Sequence, residues 1–108
     1  MYLTIDIKND LFVLDDATLD ALGRPKQVQL LINTQQRKLV LRACSTDDEE
    51  PFFLPDTPVI STEISAKKLI RNIKNNMGWQ DNSTRICSGS FLPNHKAVCF
   101  DLSRVRLA

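Results

Sequence analysis

The stretch ATLDALGRPKQVQLLINTQQRKLVLRAC, residues 17–44, changes its hydrophobic period part-way along and so sets the architecture. Asp15 and Asp16 precede Ala17-Thr18-Leu19-Asp20-Ala21-Leu22, and aspartate at a helix start accepts unbonded amides while its charge suits the positive end of the dipole. Gly23 supplies a left-handed stop and Pro25 forbids continuation, so the helix is about two turns long, with Leu19 and Leu22 on one apolar face. From Gln27 the period becomes two. Val28, Leu30 and Ile32 alternate with Gln27, Gln29 and Leu31; after the polar turn Asn33–Arg37, Leu39, Leu41 and Ala43 alternate with Lys38, Val40 and Arg42. This pattern predicts an antiparallel hairpin.

Working outward towards the start, Leu3, Ile5 and Ile7 alternate with polar neighbours in a first strand. Asn9-Asp10 marks a turn, and Leu11–Leu14 makes a short apolar second strand. Towards the end, Ser45-Thr46-Asp47-Asp48-Glu49-Glu50 has no apolar residue and reads as a solvated loop. Pro51, Pro55 and Pro58 follow, with Phe52, Phe53 and Leu54 placed to cover a sheet edge or core surface, the alternative being an exposed docking segment. Val59-Ile60 is expected to be a short strand and Ser65 the N-cap of a helix over 66–77. That helix has Ala66, Leu69, Ile70, Ile73 and Met77 on its apolar face and Gly78 as its stop. Trp79 is expected to anchor the helix end in the core. Strands are expected over 84–89, with a bend at Gly89, and over 97–102, with Val98, Phe100 and Leu102 inward and Pro93–Lys96 as the turn between them. No internal repeat is visible. The expected fold is α+β in one domain over 1–108: a strand–strand–helix–hairpin unit (1–44), an acidic, proline-marked loop (45–58), and a helix with antiparallel strands (59–108).

Composition bounds the function. The chain has 108 residues, 43% of them hydrophobic, and a net charge of +1. Residues 1–56 carry ten Asp/Glu against six Lys/Arg, whereas residues 57–108 carry three against eight. The halves therefore have opposite sign, and either attract one another or face charged partners. No run of about 18 apolar residues and no secretory start is present, which predicts a cytoplasmic protein with no membrane partner. Cys44, Cys87 and Cys99 are widely spaced and odd in number, as expected for reduced, buried thiols. The sole histidine, His95, sits in a predicted turn, three glycines make no phosphate loop, and the acidic run lacks the spacing of a Ca²⁺ loop. The expectation is no enzyme, no cofactor and no metal.

The segment Thr4–Cys44 resembles the AbrB/SpoVT swapped-hairpin transcription factors, through Ile5-Asp6, Leu11-Phe12-Val13-Leu14, Leu19, Leu22-Gly23, Val28-Gln29-Leu30 and Leu39-Val40-Leu41-Arg42. The resemblance implies a half-barrel completed by a second copy, hence a homodimer, and DNA binding. It departs where that family is basic, because those places read Asn9-Asp10 and Leu19-Asp20. The whole chain also resembles small proteins of phages and bacterial mobile elements, through Leu22-Gly23, Pro25, the hairpin ending at Ala43-Cys44, the acidic run, Gly78-Trp79 and Phe100-Asp101-Leu102. That resemblance implies an accessory factor. The leading expectation is stoichiometric binding to a host or phage protein, such as a nucleic-acid-binding effector, as an inhibitor of a host defence system of anti-CRISPR type. The candidate contacts are Asp47, Asp48, Glu49 and Glu50, with Lys67, Arg71 and Lys74. The alternative is a DNA-binding regulator of AbrB type, in which Lys67, Arg71 and Lys74 track phosphates with Lys68 and Arg85 beside them.

Overall fold

The computed structural model describes residues 1–44, 50–55 and 59–108. The molecule is α+β, mostly antiparallel sheet curled into a nearly closed barrel with two helices. Its elements run β1 (Tyr2–Asp6), β2 (Leu11–Asp15), α1 (Asp16–Ala21), β3 (Gln27–Asn33), β4 (Lys38–Ala43), β5 (Phe52–Phe53), β6 (Ser61–Ser65), α2 (Lys67–Met77), β7 (Arg85–Leu92), β8 (Ala97–Asp101) and β9 (Arg106–Leu107). The strand order is β5-β3-β4-β8-β7-β1-β2-β6, and β9 pairs with the start of β7.

The local rules act as expected in the first half. Asp15 caps α1 by accepting from the Thr18 amide and hydroxyl, at 2.9 and 2.6 Å, and its other oxygen accepts from the Tyr2 amide at 2.9 Å. Gly23 (φ 76°) ends the helix. The hairpin pairs Leu30 with Leu41 and Ile32 with Leu39, which puts one face of each strand into the core.

The register holds a regularity that the sequence does not display. Adding 59 to residue numbers carries the β3–β4 pairs Leu30–Leu41 and Ile32–Leu39 onto the β7–β8 pairs Gly89–Phe100 and Phe91–Val98. The β4–β8 ladder maps onto itself under the same shift, Leu39–Phe100 becoming Leu41–Val98 about a centre at Val40–Cys99. Adding 50 does likewise for β2 and β6, about Val13–Glu63. Adding 49 to β1 takes its pair with β7, Leu3–Cys87, onto Phe52–Val28 of β5 and β3. The chain thus contains two strand–strand–helix–hairpin units, β1-β2-α1-β3-β4 and β5-β6-α2-β7-β8, related by an approximate two-fold axis and interleaved. β1 of the first pairs with β7 of the second, and β5 of the second with β3 of the first. Both helices end on a left-handed glycine, Gly23 and Gly78.

One core serves both units. Leu3, Ile5, Phe12, Leu14, Leu39 and Leu41 from the first lie in one buried cluster with Ile70, Ile73, Val98 and Phe100 from the second. Each such side chain contributes about 1.5–3 kcal/mol when fully buried, and the contacts are shared between units rather than kept within either. The strand edges that a second copy was expected to complete are completed inside the chain: β1 lies between β2 and β7, β2 between β1 and β6, and β4 between β3 and β8.

Three details of the second half differ from expectation. The strand placed at Val59-Ile60 begins at Ser61, and Ile60 is 83% exposed. Ser65 is the last residue of that strand, not a helix cap; Ala66 holds the N-cap position with no side-chain bond, because the Ala66 amide is drawn to the Asp10 carbonyl at 3.0 Å and keeps the chain extended through Ser65. The strand expected over 84–89 continues to Leu92, since Gly89 is where β7 leaves β1 for β8 rather than where it ends. Trp79 packs half-buried against the core, as expected, with the Arg85 guanidinium stacked 4.4 Å from its ring centre. As expected, Pro93–Lys96 forms the turn, with Lys96 left-handed (φ 45°), and Val98, Phe100 and Leu102 are buried.

Candidate binding groove

The approximate symmetry fails around β5, and a groove lies beside it. In the first unit β1 and β2 zip together from Leu3–Leu14 to Asp6–Leu11. The equivalent β5–β6 pairing is absent among the described residues. The amide of Leu54 donates to the Lys26 carbonyl at 2.9 Å, and the alternation of strand amides turns positions 51, 53 and 55 the other way, towards β6. Positions 51 and 55 are prolines, so two of the three amides that could reach β6 carry no hydrogen. Proline on an edge is a usual way to leave it unpaired.

A second break sets the groove's length. In the first unit the carbonyl of Met1 extends β1 by accepting from the Gly89 amide at 2.9 Å. The equivalent pair is Glu50 and Leu30, and no backbone bond joins them. Glu50 has φ 53°, a left-handed value outside the extended range of a strand. β5 is consequently two residues long, and β3 runs on past it without a strand partner on that side among the described residues.

At the end of this seam, where β5 stops short, lies an open groove of about 550 Å³, lined by Gln29, Leu30 and Leu31 of β3, Glu50 and Phe52, and the first turns of α2 from Ala66 to Leu69 with Asn72. This volume lies in the range of small-molecule and peptide sites. One wall is apolar and strand-like, the other basic and helical. Lys67 and Lys68 occupy the first turn of α2, which contains no acid, and the helix has no side-chain cap. Cations there oppose the dipole at about 0.3–1 kcal/mol each, so the arrangement favours an incoming negative charge over the free protein's own stability.

Glu50 lies at this groove, and Lys67 lies on it. Arg71 is exposed on the outer face of α2, with Nη2 3.9 Å from Asp10 Oδ2, the single ion pair of the described residues that joins the acidic half to the basic half. Lys74 is half-buried and donates to Asn82 Oδ1 at 2.7 Å. The structure therefore brings Glu50 and Lys67 together at one site, leaves Arg71 on the adjoining surface and ties Lys74 down. Asp47, Asp48 and Glu49 lie outside the described residues. Arg85, expected beside the phosphate-tracking stripe, is 7% exposed and bonded to Asp81 Oδ1 at 3.0 Å and the Ser83 carbonyl at 2.7 Å, so it is unavailable to a ligand. Lys68, named only as a flank, lines the groove, as do Phe52, read as a cover or docking segment, and Leu30 and Leu31, read only as strand residues. Their sequence signal is the pair of prolines around Phe52-Phe53-Leu54 and the unbroken apolar run Leu30-Leu31-Ile32, where alternation stops being strict.

The three thiols differ in exposure. Cys87 is fully buried, and desolvation, with the nearby Asp101 charge, pushes its pKa up to about 12. Cys44 and Cys99 are half-buried. His95 stands exposed in the turn before Lys96. Among the described residues no helix is long and apolar enough to cross a membrane. No family model, curated protein or solved structure matches the chain.

Proposed function

We propose that the protein acts by stoichiometric binding to another protein, through the groove between β3 and α2 and the adjoining helix face of Lys67 and Arg71. The observation that carries this reading is the break in internal symmetry: one of two equivalent seams is zipped, while the other is held open by Pro51, Pro55 and the left-handed Glu50 and is lined by apolar and basic groups. An accessory role in a phage or mobile element, as an inhibitor of a host defence system of anti-CRISPR type, is the biological setting that fits a small binding protein with this surface. The test is capture of a host effector by the wild-type protein and by the triple variant K67E/R71E/K74E. Loss of capture with an unchanged melting temperature supports the reading. Capture unaffected by the triple variant sinks it.

A second reading has one specific support. Two interleaved strand–strand–helix–hairpin units are what a swapped-hairpin dimer of AbrB type would become if fused into a single chain, and such dimers bind DNA. Against it stand Asp10 in the first turn, beside Arg71, and Asp20, held by Arg24 Nε at 2.7 Å. A shift of duplex DNA that weakens steeply with salt would favour the regulator. By the same argument the fused unit needs no second copy, and the proposed state is a monomer, checked by sedimentation.

A further inference from the structure

Resting on the reading of the groove as the binding site, we infer that its occupant is an extended, acidic peptide segment that adds as a strand to the free edge of β3. Two bonds fix which backbone groups are available. The Cys44 amide donates to the Gln27 carbonyl at 3.2 Å, so the odd positions of β3 face β4; the Leu54 amide donates to Lys26, so the even positions face β5. Beyond Val28 the even positions are Leu30 and Ile32, and β5 pairs with neither. Their amides and carbonyls form a short open ladder that starts in the groove at Leu30 and continues past it to Ile32, the arrangement by which an added strand gains affinity from main-chain bonds and specificity from alternate side chains.

The walls define that alternation. Leu30, Phe52 and Leu69 offer apolar contacts to one set of side chains, and Lys67 and Lys68 meet the other set at the uncapped end of α2. Glu50 at the mouth repels acid on its own side, so the acidic residues of the occupant lie towards α2. A second copy of this chain fits poorly. Joining β3 to β3 about a two-fold axis would bring two sets of Lys67 and Lys68 to one seam. The gap-facing edge of β5 has a single donor, at Phe53, to offer in its place.

The test titrates isotope-labelled protein with end-blocked seven-residue peptides, followed by amide shifts. The probes are an alternating Val/Glu peptide, its Val/Lys counterpart, and two N-methylated forms of the Val/Glu peptide, one methylated at odd and one at even positions. The Val/Glu peptide is expected to shift the Leu30 and Ile32 amides and to bind about tenfold more tightly than the Val/Lys peptide, with the order reversed in K67E/K68E, whose melting temperature confirms that it folds. One N-methylated form should lose binding and the other keep it, because an edge strand uses alternate amides. Equal binding of both methylated forms at the same amides would overturn strand addition while leaving the groove as the binding site. Equal binding of the Val/Glu and Val/Lys peptides would overturn the acidic assignment. No shift of groove amides by any peptide overturns the inference, and only if K67E/R71E/K74E also retains the captured effector does the binding-site reading fall with it.

Discussion

Asp15 joins two segments through one carboxylate, capping α1 and holding the Tyr2 amide. Burial raises its pKa, but the hydrogen bonds from Thr18 and Tyr2 outweigh it, and the net shift is downward. A carboxylate whose folded pKa is depressed gives stability that is complete above its ordinary value of 3.8 and is lost as the pH falls through the folded value. Asp15→Ala should cost about 1–2 kcal/mol at neutral pH by denaturant melts. Asp15→Asn should flatten the acid limb of stability against pH. Gly89 is a second sensitive residue, for steric reasons. A Cβ there would lie 2.7 Å from atoms of Val98 and Phe100, both fully buried, so Gly89→Ala should destabilise by about 1–3 kcal/mol. At Cys87 the expected outcome is chemical: under native conditions a thiol reagent should label Cys44 and Cys99 well before Cys87, and unfolding should equalise the three.

Elements that bury one regular face were legible in the sequence; elements whose form depends on distant partners were not. The period-two pattern of β3 and β4 and the i, i+3, i+4, i+7 face of α2 place Leu39, Leu41, Ile70 and Ile73 in the core because local geometry alone decides them. The start of α2 and the extent of β7 are decided from outside, by the Asp10 carbonyl and by the change of partner at Gly89. Half of the candidate site was foreseen on the same grounds: the exposed charges of α2 follow from its period, whereas the groove beside them comes from a strand that fails to pair. That failure is testable. Replacing Pro51 and Pro55 by threonine restores two donors facing β6, and the double variant should protect amides of β5 and β6 from hydrogen exchange as the seam closes. The charge-reversal variant K67E/R71E/K74E should leave stability within about 1 kcal/mol, because these side chains are exposed or half-exposed.

Across the whole molecule the two units hold one another's strands, and not one residue is identical between equivalent positions of the paired strands. The pair Leu30 and Gly89 shows why no repeat can be read from the sequence: one position needs a side chain to fill the core, and its equivalent has no room for one. Interleaving predicts that neither half is a folding unit. Fragments 1–48 and 49–108 should each give the spectrum of an unfolded chain, and mixing them should restore the native one; a folded fragment 1–48 would show that β1 to β4 are self-sufficient. The same arrangement reaches back to the protein's synthesis. The ribosome delivers β1 to β4 first, each with a neighbour that does not yet exist, and at roughly 5–20 residues per second the remainder follows over several seconds. Through that interval the nascent chain carries apolar strands with open edges, the state in which association with other chains competes with folding.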